Sequence, residues 1–445
     1  MKRSLSAALC LALGACAVYR PAPPQLAANV QAYDARRLPE RPAAQPWDRA
    51  SLLAAALERN PAIAAARRSY EAALAAAQAA RVRPAATLTL TAEFADEHPQ
   101  WGYGAGADIP LDAGVRRAAR ITAADLPALK ARYAAAEAMW TVRSDLARAE
   151  VELRAARQED DLASRLAKLQ GERAQVLERR VAAGEDARSV QLMAAADAVA
   201  AEHRAASARQ RLSAAQAALA AATGVPASAV ADLALSPDAA EPDLAGLPDW
   251  RTQAAVSRLT VLDVVADYDL AENDLRLEVA KQRPEIRLSP AYFYDHGANK
   301  LPFNLSLTLP PADLNRAGIR QAEAARAAAG RTLERTQDEV LAGADKAAAA
   351  LALARAETAR WRDRDLPAAV RTAQDAAARF AAGAGDRPDL LAAQAAETNA
   401  RLGLLDAERV QALARIDLED ALRRSFDPDE AAVLSSADAK LGGSS

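Results

Sequence analysis

The sequence predicts a mainly α-helical chain with a small membrane β-barrel, built from two duplicated half-repeats. Three observations lead to this fold class. The same landmarks occur twice about 200 residues apart, two pairs of short segments alternate between apolar and polar residues, and most of the remaining sequence is rich in alanine. Alanine is the strongest helix former and its small side chain lets helices pack closely. Aromatic residues make up only 4% of the chain, which favours long helix-against-helix contacts over a compact core.

The duplication is visible in landmarks that keep one order and one spacing. "ERNPAI" from Glu58 corresponds to "SRLTVL" from Ser257. The other matched positions are offset by 199 or 200 residues: Pro84 with Pro284, Pro110 with Pro310, and Gly184 with Gly383. This period is too long for a solenoid repeat. Each unit is therefore predicted to be half of a larger architecture.

The N-terminus resembles a bacterial lipoprotein signal. Lys2 and Arg3 precede an apolar run that is too short to span a bilayer. The run ends in Leu13-Gly14-Ala15-Cys16, which resembles the lipobox that is cleaved before its cysteine. We therefore predict a signal peptide over residues 1–15, lipid on Cys16 and a lipidated extension over residues 16–50. An ordinary secretory signal with an incidental cysteine is the alternative. The residue after the cysteine is not the aspartate associated with inner-membrane retention, so attachment to outer-membrane lipid is expected.

Composition excludes several classes of protein. Cys10 and Cys16 are the only cysteines, so the chain without its signal can form no internal disulfide. Lysine plus arginine number 56 and aspartate plus glutamate number 59, so no excess of positive charge indicates a nucleic-acid partner. No run of about 18 apolar residues is present, and a membrane-spanning part would therefore have to consist of strands.

Each half-repeat is predicted to run helix, strand pair, long helix, tip and helix. Asn60-Pro61 marks a restart within the first helix. Apolar spacings of seven and eleven residues favour nearly straight helix packing, with an ordinary stuttered coiled coil as the alternative. The first repeat, 51–226, contains strands at about 85–95 and 102–110, a long helix at 114–183, a tip at Gly184 and a helix at 187–222. The second repeat, 250–426, contains strands at about 285–294 and 301–309, a long helix at 314–382, a tip at Gly383 and a helix at 388–424. A connector is expected at 227–249 and a disordered tail at 427–445.

The strand segments decide the fold class. In "ATLTLTAEF", leucine, alanine and phenylalanine alternate with threonine and glutamate, and the other three segments alternate in a similar way. About nine or ten residues allow a tilted strand to cross a bilayer, and this alternation is typical of a membrane barrel. Two hairpins on a soluble core are the alternative. Four strands cannot close a barrel and an open edge in lipid is costly, so several copies must close it together; three copies give twelve strands.

In their order and spacing, these landmarks resemble the TolC-type outer-membrane channels, in the lipoprotein branch of that family. The resemblance covers about 51–426. It rests on "ALERNPAI" at 56–63, "PLDAG" at 110–114, "LPAAVRTAQDAAARFAAG" at 366–383, and the repeated prolines and tip glycines. It implies a homotrimer with a twelve-stranded β-barrel in the outer membrane of a Gram-negative bacterium. Twelve long helices would form an α-barrel that extends from it into the periplasm. The sequence departs from the family at "SRLTVLD" and "LPPADLNRAG", which lack the usual arginine-proline-aspartate phrase and the usual aromatic and glycine.

The resemblance also implies a function at the two tips. The chain would be a passive duct of a tripartite efflux or export system, with a periplasmic adaptor and an inner-membrane pump of the RND, ABC or MFS type as partners. The tips would meet the adaptor through Gly184, Gly383, Arg180, Glu185, Arg379 and Ala384. An ordinary glycine C-cap is the other interpretation. Channels of the family narrow near this point at a pair of aspartates, and Asp389 matches the first of them. The position of the second aspartate is occupied by Ala392 in this sequence, so Asp386 is the second gate candidate. Helix N-capping is the alternative role for both aspartates.

Other functions stay open at this point. They are an outer-membrane channel of type I protein secretion, a non-channel coiled-coil lipoprotein of the periplasm, and the adaptor itself. The sequence shows no phosphate-binding loop, nucleophile elbow or metal-spaced cluster. His98 and His296 fall in matching loops, where solvated side chains are favoured over a metal site. No enzyme activity, cofactor, metal ligand or particular cargo is therefore predicted.

Overall fold

Long helices and one small antiparallel sheet make up the chain. A computed structural model describes residues 19–40, 46–96, 98–111, 114–237 and 242–442. The helices are α1 (Leu26–Asp34), α2 (Arg49–Arg59), α3 (Pro61–Ala80), α4 (Gly114–Ala182), α5 (Arg188–Thr223), α6 (Leu247–Ser257), α7 (Leu259–Ala280), α8 (Arg316–Arg360), α9 (Leu366–Ala381), α10 (Arg387–Leu422) and α11 (Pro428–Gly442). The strands are β1 (Thr87–Phe94), β2 (Trp101–Pro110), β3 (Glu285–Asp295), β4 (Ala298–Lys300) and β5 (Phe303–Thr308). A mainly helical fold with a small antiparallel sheet is thus confirmed.

Among the described helices, none combines the length and the apolar character that crossing a membrane requires.

The sheet joins the strands of both repeats. Its order is β1-β2-β3, and both β4 and β5 pair with β3, so these two short strands share one strand position. The expected strand at 301–309 is therefore shorter than predicted. Pro302 has no N–H for the ladder, although its carbonyl accepts a bond from the Ala291 N–H at 2.9 Å.

The register gathers most of the apolar side chains of the sheet on one face. Leu90 lies opposite Ala105, Ala105 opposite Tyr292, and Leu288 opposite Leu305. Because side chains alternate between faces along a strand, the intervening polar residues share the other face. There the Arg287 guanidinium donates to Asp108 at 2.6 Å. The apolar face is exposed on the single chain: Leu90 is 74% exposed and Phe303 68%.

The two strand-to-helix junctions differ between the repeats. Gly114 begins α4 with φ +64°, a conformation that glycine adopts without strain. Leu314 and Asn315 take the equivalent place before α8 with φ +53° and +57°. The Asn315 amide donates to the carbonyl and carboxylate oxygens of Glu278, at 2.9 and 2.7 Å, and these bonds hold the junction in its left-handed conformation.

The long helix expected at 314–382 is interrupted by a π-helical segment at Trp361–Asp365, between α8 and α9. Pro367 lies two residues beyond this segment, and its ring lacks an N–H and clashes with the preceding turn of a regular helix. The Trp361 ring packs against Gly403 of α10, where an added Cβ would lie 2.5 Å from a ring carbon. This close approach fixes α8 to α10 at the break.

The helices form two open rows that share α4 and α8. In the row next to the sheet, the helices contact one another in the order α3, α4, α7, α8. In the row farther from the sheet, the order is α5, α4, α10, and α10 in turn contacts both α8 and α9. The contacts are built largely from alanine, with buried leucines such as Leu146 and Leu153 where α2 and α5 also meet α4. Each row therefore ends in a helix that has no neighbour on its outer side among the described residues.

The tail predicted to be disordered at 427–445 instead forms α11 over Pro428–Gly442. Proline at the first helical position favours helix initiation. The Asp427 carboxylate accepts bonds from the N–H groups of Asp429 and Glu430 at 2.9 and 3.4 Å. Ala437 and Leu441 of α11 join the hydrophobic core around α2 and α4. The polar composition of the tail therefore gave no indication of this helix, because its stability depends on tertiary contacts of a few apolar side chains.

A buried ion cluster fastens α11 to the rest of the chain. Arg143 of α4 is fully buried, and it donates to both carboxylate oxygens of Glu430 at 2.9 and 2.6 Å. It also donates to Glu419 of α10, which is equally buried. Burial alone would lower the pKa of the Arg143 guanidinium, but the two carboxylates outweigh it, so the pKa lies above its ordinary value. The cluster links α4, α10 and α11 at one point.

Candidate functional site

The two hairpin tips end α4 and α9 with the same turn. Gly184 and Gly383 have φ +78° and +70°. At the first tip, the Glu185 N–H donates to the Arg180 carbonyl at 2.9 Å; at the second, the Ala384 N–H donates to the Arg379 carbonyl at 2.9 Å. Both turns follow the Schellman pattern, in which a left-handed glycine closes the helix. No atom lies within 4 Å of an added Cβ at either glycine, so the backbone angle and not lack of space requires glycine here.

The helices that leave the tips begin differently. The Asp386 side chain caps α10 by accepting a bond from the Asp389 N–H at 3.0 Å. Ala187 occupies the matching position before α5 and offers no side-chain cap. Only the helix that leaves the second tip therefore has a carboxylate that caps its first turn.

That carboxylate bridges the two tips. Arg180, at the end of α4, donates to Asp386 at 2.5 Å. The same guanidinium forms ion pairs with Asp186 at 2.7 Å and with Glu185 at 3.6 Å. A second link between the hairpins joins Arg387 to Glu172 at 3.4 Å. Arg180 thus holds its own turn together and ties it to the neighbouring hairpin.

Electrostatics support this arrangement at neutral pH. Partial burial acts to raise the pKa of Asp386, but the Asp389 N–H and the Arg180 guanidinium outweigh it and place the pKa below its ordinary value. The hydrogen bond to Asp386 raises the pKa of Arg180. Both groups are therefore charged across the neutral pH range, and the ion pair between the tips is intact there.

The remaining tip residues of the sequence analysis lie on the surface. Arg379, the counterpart of Arg180, is exposed and forms no ion pair with a described residue. Glu185, Ala384 and Asp389 are exposed as well. Cys16 lies outside the described residues. Sequence reasoning did not single out Asp186, although a carboxylate two residues beyond the tip glycine was a usable signal.

Within the described part of the chain, no three histidine, cysteine, aspartate or glutamate side chains are grouped so that they could hold a metal ion.

The sequence matches a family model over its first repeat. Residues 52–225 fit the model described as outer membrane efflux protein. A search of curated protein sequences finds no match. The family match includes the first tip and the whole hairpin of α4 and α5.

The fold is similar to solved outer-membrane proteins over most of its length. Against VceC from Vibrio cholerae the TM-score is 0.68 with 17% identity, covering 84% of this chain and 96% of that one. Against the CmeC outer membrane channel of Campylobacter jejuni it is 0.70 with 12% identity, covering 88% and 89%. Against the open state of the MtrE outer membrane channel of Neisseria gonorrhoeae it is 0.70 with 20% identity, covering 86% and 90%. Residues 52–225 thus match the outer membrane efflux protein family, and most of the chain shares the fold of these solved outer-membrane proteins.

Proposed function

We propose that the chain is one subunit of a homotrimeric outer-membrane duct in a tripartite efflux or export system. The observation that carries this proposal is that both the sheet and the helix rows are open at two edges. β1 and β5 each pair on one side only among the described strands. In lipid, such unpaired edges cost several kcal/mol for each unsatisfied group. Sister chains can supply the missing partners.

The side chains at the edges support a closed ring of copies. The apolar face of the sheet is exposed, as expected for a wall that contacts lipid. In the helix rows, Leu192 and Val199 of α5 are 59% and 52% exposed at one edge, and Leu353 of α8 is 73% exposed at the other. Contact between two different edges of identical chains generates a ring if the rotation closes. With four strand positions and four helix positions per chain, three copies give a twelve-stranded barrel on a twelve-helix barrel.

The tips would then form the inner mouth of the duct. Gly184, Arg180 and Glu185 of the first tip, with Gly383, Arg379 and Ala384 of the second, are our candidates for contact with a periplasmic adaptor. An inner-membrane pump of the RND, ABC or MFS type would supply the energy. The bond between Arg180 and Asp386 would hold adjacent hairpins together in the closed mouth. Asp389, exposed beside this bond, and Asp386 would be the gate residues. The duct itself would perform no chemistry.

Two measurements test the trimeric duct. The detergent-solubilised protein is expected to have the mass of three chains, and its insertion into a planar bilayer is expected to give discrete conductance steps. A channel of type I protein secretion would give the same steps, and passage of a folded or unfolded protein cargo would identify it. Monomeric particles without conductance would contradict the duct and favour the structural coiled-coil lipoprotein.

Lipid attachment at Cys16 is the proposed anchor in the outer membrane. Because the thiol of Cys16 would carry the lipid, Cys16→Ser is expected to abolish incorporation of labelled palmitate. Cys10→Ser is the matched control, since residue 10 lies in the predicted signal and its loss should leave the label unchanged. Labelling that persists in Cys16→Ser would rule out this anchor.

A further inference from the structure

The joint between the inner helices of a repeat and its last helix differs between the two repeats. In the first repeat it contains Asn60 and Gly224, and neither of these residues carries a charged side chain. The Asn60 amide donates to the Ala222 carbonyl at 2.9 Å. Gly224, with φ +74°, lies so close to α2 that an added Cβ would be 2.9 Å from the Arg59 carbonyl oxygen. In the second repeat Arg258 precedes the helix as Asn60 does in the first, and Arg423 ends the last helix as Gly224 does.

The two arginines keep the geometry of this joint and add charge to it. The Arg258 guanidinium donates to the Ala421 carbonyl at 3.1 Å, as Asn60 does to Ala222. Arg423 takes the left-handed place of the glycine, with φ +50°. Arg258 belongs to the segment "SRLTVLD", in which the sequence departs from the phrase usual in the family.

One N–H of each guanidinium group lacks an acceptor. Arg423 bonds to Glu137 and lies over the Trp140 ring, 5.4 Å from its centroid. Yet the Nε–H of Arg423 and the Nε–H of Arg258 are both buried without a hydrogen-bond partner in the described structure. Burial lowers the pKa of both arginines, although the carboxylates of Glu137 and Asp420 act to raise it. The positive charge of Arg258 lowers the pKa of Arg423 further. Buried donors without acceptors are costly.

A cavity of about 350 Å³ adjoins the two arginines. Its walls are mainly apolar and include Met139, Trp140, Trp250, Leu259 and Leu434. The N-terminus of α7, which begins beside Arg258, has no side-chain cap. The one carboxylate of the lining, Asp438, pairs with Arg132 at 3.8 Å. The cavity thus combines positive groups at one end with an aromatic wall.

We propose that this cavity binds a small amphiphilic oxyanion. A phosphate or carboxylate group would lie between Arg258 and Arg423 at the N-terminus of α7, where a guanidinium fork and free helix N–H groups favour an anion. The apolar body of the ligand would pack against Trp140 and Trp250. This site goes beyond the duct function, because it lies in the wall near α11 and not at the tips.

Phenyl phosphate is a soluble probe that combines both features. Titrated into the detergent-solubilised full chain and followed by calorimetry, it is expected to bind at one site per chain. Inorganic phosphate and phenol, each with half of these features, are expected to bind more weakly. Binding of inorganic phosphate as tightly as phenyl phosphate would overturn the amphiphilic part of the proposal, and absence of saturable binding by both would overturn the site.

Substitutions locate the site. Arg258→Gln removes one of the two guanidinium groups and is expected to raise the Kd for phenyl phosphate about tenfold or more. Arg423→Gly restores the residue of the first repeat and relieves the left-handed backbone, so this variant should stay folded while its Kd rises similarly. Arg276→Gln, an exposed change on the same α7, is the matched control and should leave the Kd unchanged. Wild-type affinity in Arg423→Gly and Arg258→Gln would refute the assignment.

Discussion

Replacing Arg143 with methionine is expected to lower the free energy of unfolding by about 3–5 kcal/mol. Methionine fills much of the same volume, but it leaves Glu430 buried without a counter-charge and Glu419 with Arg415 as its remaining cation at 3.3 Å. Removing one partner of a buried ion pair is strongly destabilising for this reason. Because Glu430 belongs to α11, we also expect this helix to detach, which limited proteolysis within residues 428–442 would reveal.

The matched control lies five residues further along α4. Arg148 also pairs with carboxylates of α10, Asp417 and Asp420, but its side chain is 39% exposed. Exposed pairs are screened by water, so Arg148→Met should cost less than about 1 kcal/mol. Chemical denaturation of both variants provides the comparison. Equal stability of Arg143→Met and the wild type would show that the buried cluster does not hold α11 in place.

Arg180→Ser is expected to raise the single-channel conductance several-fold. The substitution removes the bond to Asp386 that ties the two hairpins at their tips, together with the ion pairs to Asp186 and Glu185. In the proposed trimer each mouth contains this bond three times, so its loss should widen the narrowest part of the duct. Planar-bilayer recordings at fixed salt measure the change.

Arg379→Ser is the control for this experiment. Arg379 occupies the same place in the second repeat and forms no ion pair with a described residue, so its replacement should leave the conductance close to that of the wild type. If both variants raise the conductance equally, the charge at the mouth and not the bond between the hairpins determines the current. Unchanged conductance in Arg180→Ser would exclude the bond as a gate.

The pH dependence of this bond follows from the sign of its pKa shift. The pKa of Asp386 lies below its ordinary value in the folded chain. The stabilisation is therefore fully present above the ordinary carboxyl pKa and is lost as the pH falls through the lowered folded value. Opening of the mouth by acid alone is expected only below the ordinary range of a carboxyl group, far from neutral pH.

The sequence predicted the repeated elements because each carries a local signal. Alternation marked the strands, Asn60-Pro61 marked the restart between α2 and α3, and the glycines marked both tips. The side-chain cap on α10 was also within reach, since Asp386 stands directly before the helix. These features depend on residues close together in the chain, where propensity and capping rules apply.

Contacts between distant residues were beyond the same reasoning. Nothing local to Arg180 points to Asp386, 206 residues away. The polar tail gave no sign of α11, because its stability depends on Arg143, 287 residues earlier in the chain. The π segment was missed since its position depends on Trp361 packing against Gly403 of another helix. Each miss reflects tertiary packing that overrides local preference.

The position of Glu430 has a consequence for the order in which the chain matures. The ribosome completes both hairpins, including Glu419, before it reaches Glu430, the second buried carboxylate that pairs with Arg143. Until then Arg143 lacks the carboxylate to which it donates two hydrogen bonds in the folded chain. Final consolidation of the wall, and with it any assembly of copies, is therefore expected to wait for this late segment, so that chains interrupted before Glu430 would be recognised as unfinished by proteases.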